Sequence, residues 1–96
     1  MNSEKIYDIN KIEKLLVKNW TEYIDARKMI NFLTSHAKSQ YDNPKIHNLK
    51  VSNCNLLLEY ISLWVEYNIR NSSLDVNVTS EIFLLSDGTL KINRTI

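Results

Sequence analysis

The chain has 96 residues, 44% of them hydrophobic and 24% charged, with a formal net charge of +1. That length suits a single small domain spanning residues 1–96, and the composition excludes an intrinsically disordered chain. Residues 1–50 carry nine Lys/Arg against six Asp/Glu, and residues 51–96 carry three against five, which is not the dense basic footprint of a nucleic-acid binder.

Cys54 is the only cysteine, so an intramolecular disulfide framework is excluded. The start, MNSEKIYD, has no apolar secretion-signal core, and Glu59 and Glu66 interrupt the one long apolar stretch, which argues against a membrane span. These features predict a soluble, cytoplasmic protein.

Residues 1–7 read as a short lead-in, and Asp8 is a good N-cap for a helix beginning near Ile9. From there Ile9, Ile12, Leu16, Asn19, Tyr23, Ala26, Ile30, Leu33 and Ala37 recur at alternating three- and four-residue steps. Two arrangements fit that seam. One is a single long helix, which would favour a coiled-coil dimer. The preferred one is two N-terminal helices, Ile9–Lys18 and Glu22–Ser39, broken at Asn19-Trp20-Thr21, with Asn19 or Thr21 as the second cap.

Asp42-Asn43-Pro44 marks a turn. Ile46–Val51 reads as a short strand. The stretch Leu56–Ile69, LLLEYISLWVEYNI, places Glu59, Ser62 and Glu66 on one narrow helical stripe and apolar residues over most of the remaining arc. It therefore predicts a central buried helix, capped by Ser52 or Asn53, with Cys54 on its apolar side and Trp64 deep in its arc. As a strand, the same stretch would send Glu59 and Glu66 to opposite faces.

The C-terminus gives a clear β signal. Val76, Val78, Ser80, Ile82 and Leu84 alternate with polar residues and Phe83, and the alternation resumes at Leu90, Ile92 and Arg94. A three-residue loop, Ser86-Asp87-Gly88, pairs Leu84 with Leu90 and Ile82 with Ile92, giving an antiparallel β-hairpin with one apolar face. The expected fold class is therefore α+β.

Chemistry-bearing groups are few. His36, His47 and Cys54 show neither metal-ligand spacing nor a nucleophile motif, and the one glycine, in a turn, excludes a glycine-rich phosphate loop. No enzyme activity, metal or cofactor is expected. Surplus apolar residues carry more information. If the second helix buries Tyr23, Ala26, Ile30, Leu33 and Ala37, then Ile24 and Phe32 fall off that face, Trp20 sits at the break, and Phe83 faces outward opposite Lys91. These five, Trp20, Ile24, Phe32, Phe83 and Lys91, are the candidate interaction residues.

The function expected from this pattern is a small protein–protein interaction module acting as a regulator or inhibitor, the class to which phage, plasmid and bacterial inhibitors, immunity proteins and antitoxins belong. Its partner is another protein or a second copy of the chain. The alternative is nucleic-acid binding, since three helices followed by a hairpin is also the element order of a winged helix. Against it, that third helix would present Glu59 and Glu66 to phosphate, and the Lys11, Lys14, Lys18 face of the first helix would be the better contact.

Overall fold

Asp8 and Asp25 set the two helix starts. In the computed structural model, which describes residues 8–96, the Asp8 carboxylate accepts from the Lys11 amide and opens α1, Ile9–Lys18. The Asp25 carboxylate accepts from the Arg27 and Lys28 amides and opens α2, Ala26–Ala37. Both satisfy amides that no helical carbonyl can reach. The lead-in expected over residues 1–7 lies outside the described residues.

Among the described residues there are thus two α-helices, joined by a short 3-10 turn at Trp20–Glu22. The second starts later than the sequence predicts, because Asp25 and not Asn19 or Thr21 supplies the cap. The break also resets the helical phase. Met29, Leu33 and Ala37 form the buried stripe of α2, Tyr23 and Ile30 are exposed, and Ile24 is buried. A seam carried straight through Asn19 therefore places Leu33 and Ala37 correctly in the core but wrongly buries Tyr23 and Ile30 and leaves out Ile24 and Met29.

Four strands follow: β1 Lys45–Leu56, β2 Tyr60–Arg70, β3 Asp75–Leu85 and β4 Leu90–Thr95, in one antiparallel sheet of order β1-β2-β3-β4. β2 occupies the stretch expected to be a central helix, and this is the main correction. Leu63, Val65, Tyr67 and Ile69 are buried on one face, while Ser62, Trp64, Glu66, Asn68 and Arg70 point to the other. Glu59 lies before the strand, in the turn, so it never conflicts with Glu66. Trp64 and Tyr60 on the second face make both faces partly apolar, and that mimicked a helix apolar around most of its circumference. Ser52 and Asn53 lie within β1 and cap nothing. Without a third helix among the described residues, the winged-helix order fails too.

β1 is about twice as long as expected because it absorbs two register shifts, between His47 and Lys50 and between Val51 and Asn53. Each inserts one extra residue and breaks the alternation that a sequence scan relies on. Asn48, at the first bulge, has φ +56°, a left-handed conformation that asparagine tolerates better than most residues. A third shift lies between Glu81 and Ile82 opposite β4. All three extra residues fall on β1 and β4, the two edge strands, and twisted edges resist pairing with other chains.

The β3–β4 hairpin has the expected register, with Ile82 opposite Ile92, Phe83 opposite Lys91 and Leu84 opposite Leu90. Gly88 sits at φ +87° and its amide donates to the Leu85 carbonyl.

Leu16 of α1 and Met29, Leu33 and Ala37 of α2 join Val51, Cys54, Leu63, Val65 and Ile82 in one core. Burying a side chain of this size contributes about 1.5–3 kcal/mol. Lys28 Nζ donates to the Gly88 carbonyl, tying α2 to the β3–β4 turn. The Glu13 carboxylate accepts from the Leu56 amide at 2.7 Å, tying α1 to β1. Among the described residues, no helix is long and apolar enough to cross a membrane.

Candidate functional site

Strand alternation delivers side chains to two faces, and the helices cover only the one carrying Leu63, Val65 and Ile82. The other face divides into an aromatic end and a polar end.

At the aromatic end, register places Phe83 opposite Ser62, between Tyr60 and Trp64 on β2. The Tyr60 and Phe83 rings meet at 4.5 Å between centroids with their planes tilted by 47°, a favourable aromatic geometry. The Arg94 guanidinium lies over Trp64, 5.2 Å from the ring centroid. Beneath this layer, Glu81 is nearly buried. Its carboxylate accepts from Ser62 Oγ at 2.7 Å, Asn93 Nδ2 at 2.8 Å and Arg94 Nε at 3.0 Å. The Asn93 and Ser62 hydrogen bonds, with help from Arg94, outweigh burial and hold the carboxyl below its ordinary range. The cluster fixes Arg94 in place above Trp64.

The apolar surface continues past the end of the sheet. The β1–β2 turn carries Leu57, half exposed, and Leu58, 100% exposed. Leu57, Leu58, Tyr60 and Leu85 border an open groove of about 340 Å³. Turn positions usually go to Gly, Asn, Asp, Pro or Ser, and none of them stands here. Two leucines in a turn leave apolar area in water for no local structural gain.

Of the five residues singled out by sequence, the structure brings two together: Phe83 and Lys91 are cross-strand partners on the open face. Trp20 and Phe32 are partly buried against the core on the helical side, and Ile24 is 7% exposed within it. Their apparent surplus came from the wrong helical phase. Tyr60, Trp64, Arg94 and the Leu57-Leu58 turn were missed. The signal for the first two was the alternation from Tyr60 to Arg70. The turn left no signal, since Leu56-Leu57-Leu58 reads as one apolar run.

Conventional catalytic chemistry is poorly supplied. The Cys54 thiol is buried in β1, where burial first and then nearby Glu13 push its pKa to about 11. It behaves as a small hydrophobe, not a thiolate nucleophile. His36 and His47 stand exposed on different elements. Among the described residues, no three His, Cys, Asp or Glu side chains group as a metal site. Comparison with protein-family models, curated proteins and solved structures finds no match for the chain.

Proposed function

We propose that this protein is a small protein–protein interaction module, a regulator or inhibitor, that docks its partner on the aromatic end of the open sheet face. One observation carries the proposal: Tyr60, Phe83 and Trp64 stand on the face the helices leave uncovered, and the apolar surface runs on into the exposed Leu57-Leu58 turn. Aromatic and arginine side chains in a polar surround are the residues from which interface hot spots are built. The Glu81 cluster holds Arg94 ready, so little side-chain entropy remains to be lost on binding. An acidic or apolar segment of a partner fits Arg94, Lys91 and the rings together.

A second reading rests on the same face. Aromatics on an antiparallel sheet beside Lys91 and Arg94 are also the ingredients of a stacking platform for single-stranded nucleic acid. Arg94 over Trp64 and Glu81 at the centre of the patch weigh against it.

Affinity capture from cells that express the protein, with and without nuclease, separates the two. A partner protein retained by the natural chain after nuclease treatment, and lost with Phe83→Ala, supports the proposal. Recovery that disappears with nuclease supports the second reading and refutes the first.

A further inference from the structure

β3 is longer than its outer neighbour. It spans Asp75–Leu85, whereas β4 runs beside it only from Ser80 to Leu84, so the half of β3 nearest the β2–β3 turn has β2 on one side and, among the described residues, no strand on the other. Two hydrogen bonds fix which backbone groups face outward. The Asn71 amide donates to the Leu74 carbonyl, so Leu74, Val76 and Val78 turn their amides and carbonyls towards β2; the Ile96 amide donates to the Thr79 carbonyl, so Thr79, Asn77 and Asp75 turn theirs away. Bulges blunt β1 and β4, but β3 follows β2 in unbroken register, and neither bulge, proline nor lysine guards Asp75–Thr79. A cavity of about 200 Å³ lies on the core side of the same stretch, with Ala37 and Tyr41 over it and Tyr67, Ile69, Val76 and Val78 as its floor. Open edge groups alone mark nothing, since water satisfies them on every sheet. Here a regular edge and an apolar cavity coincide.

We propose that this half of β3 is a strand-addition site, where an extended segment of a partner protein pairs antiparallel with Asp75–Thr79 and sets one aliphatic side chain into the cavity. Register gives the recognition pattern. A residue opposite Val76 or Val78 points under the end of α2, while one opposite Asn77 points to the open face, where Asn77 Oδ1 accepts from Asn68 Nδ2 at 2.6 Å and a polar neighbour fits. Backbone bonds to Asn77 hold any segment without proline there, and the cavity supplies selectivity. A second copy of the chain is the poorer occupant, because its own β3, centred on Asn77, would carry the 71–74 turn into the place β4 fills beside Ser80. The site is at the opposite end of the sheet from the aromatic patch and stands independently of the docking function.

The test is selection of a displayed library of random octapeptides on the full chain, followed by amide NMR and affinity measurement with the enriched peptides. Peptides in which an aliphatic residue alternates with polar ones are expected, with saturable shifts at Asp75, Asn77 and Thr79 and slower exchange of the Asn77 amide. Asn77→Pro removes the outward amide without touching a backbone bond to β2, a change that open strand edges tolerate, and should weaken binding about tenfold. Val78→Phe, which fills the cavity, should weaken it similarly at an unchanged or higher melting temperature, so the outcome does not depend on the proline variant folding. Phe83→Ala, at the aromatic end, should leave peptide affinity unchanged. Full affinity in both edge variants, or no enriched peptide that shifts these amides, would overturn the proposal. Peptides that shift only Tyr60, Trp64 and Phe83 would overturn it as well, while leaving the docking function standing.

Discussion

Glu81 is a carboxylate with three hydrogen-bond donors inside a sheet face, and its protonation couples the aromatic patch to stability. Its folded pKa is depressed below the ordinary value of 4.5. The stability it contributes is therefore fully present above the unfolded value and is lost as pH falls through the folded one. Glu81→Gln should flatten the acid limb of stability against pH in denaturant melts; an unchanged limb would place the acid sensitivity in other groups. Ser62→Ala should cost about 1–3 kcal/mol, because it strips a donor from a nearly buried carboxylate oxygen. A central helix would have put Ser62 on a polar stripe and made that substitution nearly neutral, so the same melt also discriminates strand from helix. Cys54, with its thiol pKa near 11, should resist thiol reagents at neutral pH until the chain unfolds; rapid labelling of the native protein would contradict its burial.

At the scale of elements, what the sequence revealed and what it hid have separate physical causes. The Asp8 cap, the three-residue hairpin loop and its register were legible because local chemistry decides them: an aspartate before an amphipathic run, a glycine where φ must be positive. Gly88→Ala should accordingly destabilise the hairpin by about 1–2 kcal/mol through its left-handed backbone. The added methyl itself meets only the mobile end of Lys28, 3.3 Å away, so a neutral result in melts would mean that the turn adopts another type. β2 was hidden because its period-2 signal carries aromatics on the second face and merges at its start with Leu56-Leu57-Leu58. β1 was hidden because two bulges place Val51 and Cys54 on the same buried face three residues apart, a spacing that imitates a helix. Phe83 and Lys91, on β3 and β4, were therefore readable, whereas Arg94 on β4 and the residues on β2 were not. Leu63→Ala, at a position with 0% exposure, should cost about 2–5 kcal/mol, and more than Trp64→Ala on the half-open face.

For the whole molecule, the division of labour runs across the sheet. One face and two helices make the core, and the helices leave the other face uncovered, with an aromatic end and a polar end. Both edges carry bulges, which leaves the open face and the leucine turn as the surfaces best suited to association. The central claim is that Phe83 serves binding and not folding. The most direct measurement compares Phe83→Ala with the natural chain in two assays, melting temperature and affinity for the protein recovered by capture, with Leu58→Asp as a second variant at a fully exposed position. Both variants should melt within a few degrees of the natural chain while weakening association by about 1 kcal/mol or more. Unfolding of Phe83→Ala would make Phe83 core, and unchanged affinity in both variants would place the interface elsewhere.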